Sequence, residues 1–190
     1  MAYGANILTN PSAETQDTTG WVVNNVTVEE NTTEGTRYIP IVDDYEKWSD
    51  QQQEFILEGG AGDYCFVFAS DGDADMYQIL YASDVGEQPE SFQFNCRFKL
   101  INEQPRYDNT VFGFAKLAIA YDDNTFDYFH IPFIIGVKTS SRYLLNYWVL
   151  VQAVCDVASG KTLEYIKVSA ECSDFIYGLR IDYMEIRKET

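Results

Sequence analysis

Basic residues, histidine, proline and long apolar runs are all scarce in this chain. Thirteen Lys and Arg stand against thirty Asp and Glu, for a formal net charge of −17 over 190 residues. Phosphate recognition needs clustered cations, so the composition argues against nucleic acid and equally against an anionic membrane surface. What such a balance supplies is solubility and repulsion between copies, with cation binding or a basic partner as the other uses. No stretch approaches the ~18 apolar residues of a membrane-spanning helix. The opening Met1-Ala2-Tyr3-Gly4-Ala5 has neither a basic nor an apolar signal region, so synthesis in a cytosol without a secretory signal is the expectation.

Catalytic signatures are also missing. His130 is the single histidine, in an apolar stretch where a structural role is expected, and no G-x-S-x-G, H-E-x-x-H or P-loop pattern occurs. Thirty acids make any one carboxylate pair uninformative as a glycosidase dyad. The expectation is a non-enzyme. Cys65, Cys96, Cys155 and Cys172 are widely spaced, with no C-x-x-C, and read as reduced, buried thiols. There is no internal repeat, low-complexity tract or linker, so residues 1–190 read as one domain.

What the sequence has in quantity is aromatic residues, 15% of the chain and mostly Tyr and Phe, which favour strands. Phe92, Phe94, Cys96, Phe98 and Leu100 alternate with Gln93, Asn95, Arg97 and Lys99, a period of two that predicts a strand with one face in the core and one in water. Further strands are predicted over Trp21–Glu29 (with Val22, Asn24, Val26 and Val28 on one face), Tyr38–Val42, Tyr64–Ala69 and Met76–Ala82. Val111–Tyr121, Phe126–Ile131, Tyr143–Val157, Thr162–Ala170 and Ile176–Arg187 complete the set. Pro132 ends its strand or marks a sheet edge. Asp43–Glu54 has room for one helical turn. About ten short strands separated by Gly, Asn and Asp turns, without a convincing amphipathic helix, predict an all-β antiparallel sandwich or jelly roll.

Two stretches carry a family likeness. Asn6-Ile7-Leu8-Thr9-Asn10-Pro11-Ser12-Ala13-Glu14, with Gly20-Trp21 after it, resembles the N-L-L-x-N-P-x-x-E and G-W opening of carbohydrate-binding modules with a galactose-binding-like jelly roll. Gly178-Leu179-Arg180-Ile181-Asp182-Tyr183-Met184-Glu185-Ile186 looks like the last strand of that family, with Tyr183 and Met184 in place of the usual aspartate and valine. Lys116–Asp123 and Tyr147-Trp148-Val149 are similar to further strands of it. The resemblance implies that the first and last strands lie side by side. It also implies one structural Ca²⁺ held by Glu14 and Asp182 with carbonyls near Glu34-Gly35, a hard-oxygen donor set. Pairing of Asp182 with Arg180 or Arg187 is the alternative for a carboxylate in a buried strand. Asp71-x-Asp73-x-Asp75 lacks the glycine and the bidentate acid of an EF-hand and reads as a solvated turn.

Sugar recognition combines flat rings against the apolar pyranose face with amides and carboxylates on its hydroxyls. The candidates are Trp48, Tyr77, Tyr81, Tyr121, Tyr128 and Tyr147, with Trp21 left to the core. Three functional classes follow in order. First is a non-catalytic structural protein of a bacteriophage virion (capsid decoration, head fibre, tail or baseplate attachment), made in the host cytoplasm and partnered by other virion proteins or by itself. Second is a free-standing extracellular module for a cell-surface or plant polysaccharide. A glycan-active enzyme comes last.

Overall fold

A computed structural model describes residues 2–30, 52–57, 63–68, 73–101, 110–135, 148–172 and 178–190. Twelve strands and one helical turn lie among them: β1 Tyr3–Asn6, β2 Val22–Asn24, β3 Val26–Glu30, β4 Gln52–Leu57, β5 Tyr64–Phe68, β6 Ala74–Tyr81, α1 Ala82–Val85, β7 Ser91–Ile101, β8 Thr110–Tyr121, β9 Phe126–Ile135, β10 Trp148–Asp156, β11 Leu163–Cys172 and β12 Gly178–Glu189. They form two antiparallel sheets. One runs β3-β5-β12-β7-β10-β4 with β1 added on β12, and the other β2-β6-β11-β8-β9. The architecture is the antiparallel sandwich that the strand pattern predicts.

Between the sheets the period-two residues interlock. Phe92, Phe94 and Cys96 of β7 are fully buried, as are Phe66 and Phe68 of β5 and Leu117, Ile119 and Ile131 from the facing sheet. The first and last strands pair as expected: Tyr3 faces Glu189 and Asn6 faces Arg187. The zipper continues past β1. Ile7 N–H donates to Ile186 C=O at 2.9 Å and Met184 N–H donates to Pro11 C=O at 3.0 Å.

The segment between β1 and β2 is tied to the second sheet as well. The buried Gln78 of β6 accepts from Thr9 N–H at 2.9 Å and donates to Thr9 C=O at 3.1 Å and Gly20 C=O at 2.9 Å. Gly20 has φ +86°, and a Cβ there would lie 2.8 Å from the Thr9 side chain, so the close approach requires glycine. Trp21 goes to the core, its indole N–H donating to Asn10 C=O at 2.9 Å and its ring edge-on to Phe66.

Three expectations are corrected. The strand predicted over Trp21–Glu29 breaks at Asn25, whose φ of 53° is left-handed; β2 joins one sheet and β3 the other. Val22 and Asn24 are consequently exposed whereas Val26 is buried. The polar face of β7 is not in water: Asn95, Arg97 and Lys99 are only 2%, 7% and 5% exposed. Burial is tolerated there because Asn95 donates to Glu185 at 3.1 Å and Arg97 pairs with Asp182 at 3.3 Å. Residues 52–54, placed in a segment with room for a helical turn, lie in β4. β9 runs through Pro132, at the sheet edge where proline costs no ladder bond. The Tyr38–Val42 strand lies outside the described residues.

All four cysteines are free and buried. Burial pushes the Cys65 and Cys172 thiols up to about 11, and Cys96 and Cys155 higher still. A raised thiol pKa contributes stability that is full below the ordinary thiol range and lost as pH rises through the folded value. The urea midpoint should therefore fall between about pH 9 and pH 11. A thiol reagent at pH 8 should label none of the four cysteines before unfolding and all after it; labelling of the native protein would contradict their burial. Gln78→Leu, which keeps the volume but strands three backbone groups, should cost about 3 kcal/mol and lower Tm by about 6–12 °C in a thermal melt.

Candidate functional site

The outer face of the five-stranded sheet follows from strand parity. In β11, Ile166, Val168, Ala170 and Cys172 point into the core, so Tyr165, Lys167, Ser169 and Glu171 point away from it. The same parity turns Asp75, Tyr77, Ile79 and Tyr81 of β6 outward, with Phe114, Lys116, Ala118 and Ala120 of β8 and Phe126, Tyr128 and His130 of β9.

Register sorts these side chains into rows across the sheet. One row reads Asn24, Asp75, Glu171, Phe114 and the next Val22, Tyr77, Ser169, Lys116, His130. A third reads Ile79, Lys167, Ala118, Tyr128 and the last Tyr81, Tyr165, Ala120, Phe126. Ala118, partly exposed, makes a low floor between two walls of large side chains, while Ala120 beside it is fully covered. On one side Phe126 stacks on Tyr128 (5.9 Å, 19°) and Tyr128 on His130 (6.3 Å, 20°). On the other Tyr81 meets Tyr165 edge-on at 6.2 Å, and the Lys167 ammonium sits 4.2 Å from the centre of the Tyr77 ring.

Val22, Ile79, Tyr81, Phe126 and Tyr128 are 55%, 37%, 57%, 43% and 60% exposed. Among the described residues these are the exposed large apolar side chains, and all five stand on this one face. Concentration of that kind marks an interaction surface. A cavity of about 390 Å³ opens at the acidic end of the face, lined by Asp73, Asp75, Tyr77, Phe114, Lys167, Ser169 and Glu171. Gly113 keeps β8 tight against β11 there, since a Cβ would fall 2.0 Å from the Glu171 carbonyl oxygen. Lys116 pairs with Glu171 and lies 5.5 Å from the centre of the Phe114 ring. Partial desolvation by its neighbours, helped by Lys116, lowers the pKa of His130.

Of the six aromatic candidates, Tyr77, Tyr81 and Tyr128 meet on this face. Trp48 and Tyr147 lie outside the described residues. Tyr121 is a correction: it is 1% exposed, donates to Asp127 at 2.7 Å and accepts from Ala158 N–H at 2.8 Å. It shares the parity of Leu117 and Ile119, so the strand sends it inward, and burial raises its phenol to about 12. Sequence reasoning missed Phe126, Tyr165, Lys167 and Ile79. It also read His130 as structural, whereas His130 is exposed on the same parity as Tyr128.

The proposed cation ligands have other partners. Glu14 is exposed and accepts from Tyr64 N–H at 3.2 Å. Asp182 is fully buried at the point where the register slips from Ile181–Phe98 to Tyr183–Arg97, as the extra residue of a bulge. Its counter-charge is Arg97, not the Arg180 or Arg187 read as alternatives to the ion. The region around Glu34-Gly35 lies outside the described residues. Among the described residues no group of three or more acids, histidines or cysteines is placed to hold a metal. The described part of the expected donor set is two carboxylates, one of them facing a guanidinium, against the six to eight oxygens calcium takes.

No protein-family model matches the chain, and no curated protein matches it in sequence. Solved structures do match. The family 16 carbohydrate-binding module-2 superposes with a TM-score of 0.56 at 12% identity, covering 95% of this chain and 99% of that one. TmCBM61, solved with beta-1,4-galactotriose, gives 0.51 at 14% identity over 98% of this chain and 100% of its own. The fold is that of a carbohydrate-binding module. A third match is the enzymatically active domain of bacteriophage CBA120 tailspike protein 4, with a TM-score of 0.54 at 13% identity. It covers 97% of this chain, which spans about a fifth (21%) of the tailspike chain. The module-like jelly roll is thus shared at identities that speak for fold alone.

Arg97→Ala, which strands the buried Asp182 carboxylate, should cost about 3–5 kcal/mol in a denaturant titration. From this donor set EDTA should leave the melting curve unmoved. A Ca²⁺-dependent rise in Tm would show that an ion completes a site here.

Proposed function

We propose that the chain is a non-catalytic, carbohydrate-binding-module-like jelly roll that holds a glycan along the outer face of its five-stranded sheet. The observation that carries this reading is the gathering of the exposed apolar side chains onto that face, around an alanine floor and beside amide, hydroxyl and charged groups. Rings of this kind cover the apolar side of a sugar, while Ser169, Asn24, Asp75 and Glu171 are of the type that bonds its hydroxyls. The galactotriose complex of TmCBM61 supports the same ligand class.

The setting we infer is the attachment apparatus of a bacteriophage particle, assembled in the host cytoplasm beside other virion proteins. Its support is the fold shared with a phage tailspike domain. A free-standing extracellular glycan-binding module is the second reading, supported by the fold shared with TmCBM61 and the family 16 module.

A glycan array followed by calorimetry tests the proposal. Tyr81→Ala and Tyr128→Ala remove exposed rings, so each should leave Tm nearly unchanged. Each should weaken glycan binding about 10-fold, or about 1.4 kcal/mol. Absence of any glycan binding, together with self-association lost in Tyr128→Ala, would reassign the face to protein contacts.

A further inference from the structure

We infer that the glycan held on this face is anionic, its carboxylate or sulfate met by Lys167; this rests on the glycan-binding reading above. The chain carries thirty acids and thirteen Lys and Arg. Yet the three rows of the face that hold the floor and the exposed rings contain Lys116 and Lys167 and no acid; Asp75 and Glu171 stand in the fourth row, at the cavity that Lys167 also lines. Lys116 is committed to Glu171 from the neighbouring row. Lys167 has no carboxylate partner among the described residues. Its contact is the Tyr77 ring, with the ammonium 4.2 Å from the ring centre.

That arrangement leaves a preorganised charge. An ammonium carries three donors, and a ring face satisfies its charge without using them as an oxygen acceptor would. Ile79 and Ala118, its direct cross-strand neighbours, are apolar. A sugar seated on the alanine floor against Tyr128 therefore lies one strand from this ammonium. A charged oxygen on that sugar gains a charge-assisted hydrogen bond that a hydroxyl does not match. With a net charge of −17 the rest of the molecule repels anions at long range, so the preference is local and short-ranged.

The test is an array of uronic-acid, sulfated and neutral polysaccharides. It is followed by calorimetry on the strongest anionic binder and its carboxyl-reduced or desulfated form. Anionic glycans should lead the array, and neutralising the sugar should weaken binding about 10-fold. Lys167→Met keeps an apolar stem over Tyr77 and removes only the charge. It should weaken the anionic glycan to a similar extent, leave the neutralised form unaffected and preserve Tm. The uronic-acid and sulfated arms identify which anion is read. Neutral glycans bound as well as anionic ones, or an unchanged affinity in Lys167→Met, would overturn the inference while leaving glycan binding standing. Binding of no glycan of either kind would overturn both.

Discussion

A single amide side chain couples the two layers of this molecule. Gln78 lies in β6, and its three hydrogen bonds seize Thr9 and Gly20 at the two ends of the loop that precedes β2. The residues just before that loop are zipped to β12 in the opposite sheet. One short segment is therefore bonded to both layers, and Trp21 fills the corner it makes. The hydrophobic core brings the sheets together without directional preference. The directional bonds of Gln78 fix how they sit.

The aromatic outer face depends on that fixed relation. β6 supplies Tyr77, Ile79 and Tyr81 outward from the same strand that presents Gln78 inward. Alternation makes the two faces inseparable: a slip of one residue in β6 would bury the rings and expose the clamp. The opposite outer face has a different character. There β7 and β12 bury Asn95, Arg97, Lys99 and Asp182, with Arg97 paired to Asp182 and Asn95 bonded to Glu185. One sheet spends its outward residues on internal pairing and the other leaves them exposed.

Much of this was legible in the sequence because period two is a strong signal. The Phe92–Leu100 alternation placed β7, the Asn6–Glu14 and Gly178–Ile186 stretches pointed to adjacent chain ends without marking Tyr3–Asn6 as a strand, and the turn residues gave nearly the right strand count. Parity also held the information that Tyr121 points inward with Leu117 and Ile119, although its residue type suggested a ligand contact. What a sequence hides is which strand lies beside which. Lys167 becomes interesting only when β8 brings Ala118 next to it and no acid arrives from β6. Likewise, Arg97 could be matched to Asp182 only once β7 and β12 were known to be neighbours. Arg180 and Arg187 are closer in the chain and were the natural guesses.

The left-handed turn at Asn25 has a mechanical side. β2 and β3 belong to different layers, yet a single residue joins them. Most links between layers are longer and contain slack. This one is the single residue Asn25 between Asn24 of β2 and Val26 of β3. The two layers therefore cannot shift past each other at that corner without moving Asn25 out of its left-handed conformation.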